Sequence, residues 1–130
     1  MTPVGIVAGP SGNLYVVDLG NNRIRKITPG GVVSALAGSG EQGSLDGPGS
    51  SAQFAGQGAI AADNAGNLFV TSFGDHRIRK IAPNGIVSTL PDQGEPSLLP
   101  LTIAVDIAGS LYITDNSNNR ICRSSPTRSK

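Results

Sequence analysis

Residues 12–27 read GNLYVVDLGNNRIRKI, residues 66–81 read GNLFVTSFGDHRIRKI, and residues 109–124 read GSLYITDNSNNRICRS. Each copy holds two short apolar runs around a polar turn, which is the pattern of a β-hairpin. The first run (Leu14–Val17, Leu68–Thr71, Leu111–Thr114) is rich in β-branched and aromatic residues, types that fit a pleated surface. The turns are Gly20-Asn21-Asn22, Gly74-Asp75-His76 and Ser117-Asn118-Asn119, residues that tolerate left-handed backbone. A lone hairpin is marginal in water, so each copy needs a neighbour, and the next copy is the nearest one.

Outward from the hairpin, a third strand precedes each copy: Gly5–Gly9, Ala59–Asp63 and Thr102–Asp106. It leads into the turns Gly9-Pro10-Ser11-Gly12, Asp63-Asn64-Ala65-Gly66 and Asp106-Ile107-Ala108-Gly109, whose residues suit a β-turn. After the hairpin, Pro29-Gly30-Gly31 and Pro83-Asn84-Gly85 signal another turn, and Val32–Ala37 and Ile86–Leu90 read as a fourth strand. We label the strands of a unit a to d; strand c is Arg23–Ile27, Arg77–Ile81 and Arg120–Arg123. Gly66 and Gly109 are 43 residues apart, within the range of about 40–50 for a propeller blade. Gly12 and Gly66 are 54 apart, the excess lying in the linker Gly38–Phe54. In strand b both parities are apolar, whereas a sheet with one wet face alternates apolar and polar. Sheets covered on both faces and built from four strands predict a β-propeller.

The totals agree. Thirty-eight per cent hydrophobic residues and five aromatics are lean, while eighteen glycines and nine prolines suit short strands joined by tight turns. A net charge of +1 provides no global field for nucleic acid or membrane. No apolar run reaches the roughly 18 residues of a membrane-spanning helix, and Met1-Thr2-Pro3-Val4 lacks the features of a signal peptide. The single cysteine, Cys122, excludes an internal disulfide and leaves the cellular location open.

The pattern GNLYV-x-D-x-G-N-x-R-I-R-K-I followed by Pro-x-Gly-x-Val-Ser-x-Leu resembles the NHL repeat, and the likeness runs from residue 4 to residue 124. It implies an all-β, partial NHL-type propeller of four-stranded antiparallel blades, of a kind that is usually six-bladed. Two full blades (about 4–37 and 58–90) and three strands of a third (101–124) are expected, with 125–130 a polar tail. End blades of an open array expose apolar faces unless capped or closed. Self-association through those faces is one consequence, and truncation of a longer gene product is the preferred account.

Strand direction sorts the loops: b–c turns and d–a linkers share one face, which we call the loop face. It collects Asp18, Asn22, Arg23, Ser72, Asp75, His76, Arg77, Asp115, Asn119 and Arg120, the candidate ligand-binding residues. Asp18 with Arg23, and Asp115 with Arg120, are spaced for an ion pair across each hairpin turn; Ser72 breaks the pattern in the middle copy, leaving Arg77 to turn elsewhere, for instance to Asp75. All ten lysines and arginines lie on the c strands or in the tail. They read as a solvated outer strand rather than a phosphate-binding ladder, because acids are interspersed and no exposed aromatics offer base stacking. Gly38-Ser39-Gly40-Glu41-Gln42-Gly43 matches G-x-G-x-x-G but lacks the following helix a dinucleotide site requires. Glu41 and Asp46 do not have the spacing of a calcium loop.

His76 is the only histidine, so no multi-histidine metal site forms within the chain, and Ser72 lacks the context of a hydrolase nucleophile. Cys122 stands where Arg25 and Arg79 stand in the other copies and reads as a drifted strand residue. The expectation is a non-catalytic binding scaffold for a protein or small ligand, with no cofactor, metal or membrane contact. Two alternatives stand beside it: part of a propeller enzyme, lyase or hydrolase, with catalytic residues on other blades, and RNA binding through the c strands.

Overall fold

Three antiparallel sheets follow one another along the chain, and each is one copy of the repeat. The computed structural model describes residues 3–43, 45–54, 57–72, 77–90, 100–115 and 120–124. Blade one is β1 (Pro3–Ala8), β2 (Leu14–Asp18), β3 (Arg23–Ile27) and β4 (Val33–Ala37), paired in that order. A single 3₁₀ turn, Leu19–Asn21, joins β2 to β3. The linker contributes the two-residue β5 (Gly47–Pro48), and blade two follows as β6 (Gln57–Ala62), β7 (Leu68–Ser72), β8 (Arg77–Ile81) and β9 (Ile86–Thr89). Blade three comprises β10 (Pro100–Val105), β11 (Leu111–Asp115) and β12 (Arg120–Ser124), paired in sequence. These sheets are blades of a partial β-propeller. Among the described residues no helix is long and apolar enough to cross a membrane.

The expected four strands are present in blades one and two, and in blade two the linker adds a short fifth. There β5 pairs with β9 (Gly47 opposite Val87, Pro48 opposite Ile86), so the sheet runs β5-β9-β8-β7-β6. An outer strand presents unpaired backbone groups. A two-residue segment ending in proline covers part of that edge without offering a further edge of its own.

The a–b turns show why the repeat keeps Asp-x-x-Gly. The Asp63 carboxylate accepts from the backbone N–H of Ala65 (3.0 Å) and of Asn67 (2.9 Å), and from the Asn67 side chain. Asp106 does the same for Ala108 and Ser110, and accepts from the Tyr112 hydroxyl at 3.0 Å. Blade one has Gly9 there, and a Cβ on Gly9 would lie 2.7 Å from the Tyr15 ring. In that copy the aromatic ring occupies the space an aspartate would need. Replacing Asp63 by alanine removes the acceptor for two turn N–H groups and will cost about 1–2 kcal/mol of stability. Urea unfolding measures it, and a change within experimental error would refute this role for Asp63.

Strand alternation stacks the blades. Leu68 and Val70 on β7 point to blade one and pack with Val17, Ile24 and Ala37, with Ala52 and Phe54 of the linker, and with Ile60, Ile81 and Val87. Phe69 on the opposite face of β7 points to blade three and packs with Ile78, Leu90, Leu111 and Ile113. Every residue from Leu68 to Thr71 is buried, so the middle blade is covered on both sides. The outward face of blade one leaves Val4, Ile6, Leu14 and Val33 exposed.

Candidate functional site

The first b–c turn and the first d–a linker meet on the loop face of the blades. Asn22, at the end of the 3₁₀ turn, adopts the left-handed conformation with φ 54° and ψ 42°. Asparagine tolerates that region better than most residues. From there its Nδ2 donates to the Gly40 carbonyl at 3.2 Å. Arg23, the first residue of β3, donates through Nη2 to the Ser39 carbonyl at 3.0 Å. The linker chain passes so close that a Cβ on Gly38 would run into the Asn22 carbonyl oxygen, and Gly38 has φ 102°. Gly38→Ala therefore combines a steric clash with a strained backbone, and we expect a loss of about 2–3 kcal/mol in thermal or urea unfolding. An unchanged midpoint would show that the linker is not held against the turn.

Beyond this contact the linker folds upon itself. Ser39 N–H donates to Ala52 O (2.8 Å), Gly43 N–H to Phe54 O (3.1 Å) and Gln53 N–H to Leu45 O (2.9 Å). Ala52 and Phe54 anchor it in the core between blades one and two. The side chain that fixes it is Arg79 of β8, which is fully buried. Its Nη1 donates to Gln53 O at 2.7 Å, and its Nη2 donates to Leu45 O at 2.9 Å and to Asp46 Oδ1 at 2.8 Å. Thr89 on the neighbouring β9 donates its hydroxyl to the same Asp46 oxygen at 2.8 Å. The guanidinium also lies 5.0 Å from the centroid of the Phe54 ring, within reach of a cation–π contact.

Arg79 corrects two expectations. Strand c is not an outer strand, because β4 and β9 lie outside it. Nor is it uniformly solvated: Arg79 is buried, so the c strands present no continuous basic ladder. Asp46, weighed as a calcium ligand, is half of an ion pair with Arg79. Glu41 accepts from the Gln53 amide at 3.4 Å. The signal was present in the pairing, since Arg79 stands opposite Val70, a position whose side chain must enter the gap between blades.

The expected Asp18–Arg23 pair is also corrected. The two residues are opposite each other in the ladder, yet the buried Asp18 carboxylate is paired with Arg25 at 3.1 Å and accepts from Asn21 Nδ2 at 2.9 Å. Arg25 lies one ladder step diagonally from Asp18 on the same face. Arg23 is drawn instead to the linker carbonyl, which stabilises the linker end where Gly38 and Gly40 pass. Ser72 and Asp115 are the last residues of β7 and β11, opposite Arg77 and Arg120 respectively. Arg77 is exposed. Asp75, His76 and Asn119 lie outside the described residues, so the proposed loop-face set is described in full only in blade one.

Arg23 and Arg25 of β3, Ala35 and Ala37 of β4, and Ser39 and Ser50 of the linker help to line a cavity of about 300 Å³. Of its two arginines, Arg23 donates to the Ser39 carbonyl and Arg25 is paired with Asp18. Among the described residues no group of three or more His, Cys, Asp and Glu is arranged to hold a metal ion.

Residues 1–27 match the family model described as the NHL repeat. The search of curated proteins gave no match. Among solved structures the chain is similar to virginiamycin B lyase from Staphylococcus aureus (19% identity, TM-score 0.70), covering 94% of this chain and 37% of that one. It is similar to an auxiliary nutrient binding protein from Bacteroides ovatus (21% identity, TM-score 0.75), covering 95% and 37% respectively. A chain of a nidogen–laminin complex matches at 22% identity and TM-score 0.68, covering 93% of this chain and 42% of that one. The chain thus spans less than half the length of each of these neighbours, and at such identities the likeness is one of fold.

Proposed function

We propose that this NHL-type partial propeller serves as a non-catalytic binding scaffold that presents its loop face to a protein or a small ligand. The observation that carries this reading is the fixing of the linker. Arg79, Arg23 and Asn22 hold the long, glycine-rich linker to the blades through hydrogen bonds to its carbonyls. Binding to a loop ordered in advance avoids the entropy cost of ordering it on contact. We assign Asn22, Arg23, Ser72, Asp75, His76, Arg77, Asp115, Asn119 and Arg120 to this surface, with Asp18 buried beneath it and paired with Arg25 and Asn21. Two neighbours in fold support the class of function, one being a nutrient binding protein and one part of a complex between two proteins.

The test is a titration of the isotope-labelled chain, followed by amide chemical shifts, with a fragment set of sugars, amino acids and carboxylic acids. The reading predicts saturable shifts clustered at residues 18–23, 38–46, 72–77 and 115–120. Shifts confined to the a–b and c–d turns would overturn the choice of face. Chemical conversion of a bound fragment would overturn the non-catalytic assignment in favour of the enzyme alternative.

A further inference from the structure

The cavity of about 300 Å³ beside the first linker is lined by two arginines, Arg23 and Arg25, and by no acidic residue among those described. Both guanidinium groups are only partly engaged. Arg25 gives Nε to the Asp18 carboxylate at 3.1 Å, and its two Nη atoms have no partner among the described residues. Arg23 gives Nη2 to the Ser39 carbonyl at 3.0 Å and keeps its other N–H groups. A guanidinium carries five N–H donors in one plane, so the Nη edge of Arg25 is open to a planar acceptor while Nε stays with Asp18. The Arg25 side chain is 23% exposed, shielded yet within reach of a ligand. The Ser39 hydroxyl accepts from the Glu41 N–H at 3.3 Å, which leaves its own proton to donate. Close backbone packing holds the linker side of the cavity. Gly38 N–H donates to Gly49 O at 2.9 Å, and a Cβ on Gly49 would come within 2.7 Å of Leu36 O and 2.9 Å of Gly85 O. From β4 come Ala35, Leu36 and Ala37, which bring no polar side-chain atoms.

We propose that this cavity binds a small aliphatic carboxylate. Its two oxygens meet the Nη edge of Arg25, Arg23 and the Ser39 hydroxyl supply further donors, and its carbon chain lies along β4. A guanidinium fork matches the planar two-oxygen end of a carboxylate. Asp18 already offsets part of the Arg25 charge, which disfavours a dianion such as phosphate. Arg79, opposite Val70 as Arg25 is opposite Val16, shows the same preference within the chain, since its Nη2 holds the Asp46 carboxylate at 2.8 Å. The volume is at the lower end of the range for small-ligand sites, about 300–1,000 Å³, and restricts the ligand to a short chain. The site lies at the loop-face end of β3 and β4, and it rests on the reading of that face as a binding surface.

The probes are butyrate, acetate and inorganic phosphate, each titrated at constant ionic strength into the labelled full chain and followed by amide and arginine Nε–H shifts. Saturable butyrate shifts are expected at residues 23–25, 35–39 and 49–50. Two further methylenes buried against β4 will make butyrate bind about tenfold tighter than acetate. Arg25→Gln removes the charged fork and will weaken butyrate by at least about tenfold. It also leaves the buried Asp18 without its arginine, so a second variant keeps the test decisive if this one unfolds. Ala35 is exposed on an outer strand and directly opposite Arg25. Ala35→Asp therefore sets a competing carboxylate beside the guanidinium and will weaken butyrate by a similar factor. No saturation by butyrate, equal affinity for the three anions, tighter binding of phosphate, or an affinity unmoved by both variants would each overturn the site. Butyrate shifts confined to residues 72–77 and 115–120 would overturn it too, while leaving the loop face standing as a binding surface. Shifts confined to the a–b and c–d turns would overturn both.

Discussion

Replacing Arg79 by methionine will lower the unfolding free energy by about 3–5 kcal/mol, among the larger effects a single substitution can have. Methionine matches the aliphatic stem and keeps apolar contact with Phe54, so the loss isolates the guanidinium. Without it, the part-buried carbonyls of Gln53 and Leu45 lose their donors at 2.7 and 2.9 Å. Asp46 is nearly half exposed and will rehydrate, so Asp46→Asn, which keeps an acceptor for Thr89 and Arg79, will cost only about 0–1 kcal/mol. Lysine at position 79 will not rescue, because an ammonium cannot span three acceptors that a planar fork reaches together. Urea unfolding of the three variants separates the contributions. A loss below about 1 kcal/mol for R79M would mean the linker is held by Ala52 and Phe54 alone. The arginine would then be a passenger in its own burial.

The architecture was legible because it rests on period-two alternation repeated three times. Leu68 to Thr71 are apolar on both parities, which requires a sheet covered on both faces, and the structure places Leu68 and Val70 against one neighbour and Phe69 against the other. The turns were legible for a similar reason: Asp63 and Asp106 recur at one place because their carboxylates serve the same two backbone donors. The linker was not legible. It lies in only one copy, so repetition offered no guide, and its short pairing with β9 follows from the reach of a folded loop rather than from local propensity. Arg79 was misjudged through its chemistry. An arginine in a strand is usually solvated, and only a search for carbonyl acceptors across 26 and 34 residues of sequence separation shows why this one is buried. Asp18 was judged by spacing alone. Its direct opposite, Arg23, had a better acceptor in the Ser39 carbonyl, and the carboxylate was left to Arg25. In each case a tertiary contact decided what strand pairing alone left open.

Phe69→Ala will cost about 3–5 kcal/mol, the usual range for deleting a buried ring, and its effect will be unevenly distributed along the chain. Phe69 fills the gap toward blade three together with Ile78 and Leu90 of its own blade and Leu111 and Ile113 of the next. The cluster between blades one and two is a separate set of side chains, on the opposite face of β7. In arrays whose units touch only their neighbours, stability is close to a sum of unit and interface contributions. The loss should therefore appear as increased amide exchange in residues 100–115 and 120–124. Protection in β2, β3 and β4 should stay near that of the parent chain, because Val17, Ile24 and Ala37 keep their partners. Val70→Ala, on the other face, should reverse the pattern and loosen the contact between blades one and two. If F69A instead raises exchange evenly from β1 to β12, the three blades unfold as one cooperative unit, and the two clusters are coupled through β7 more tightly than their separation suggests.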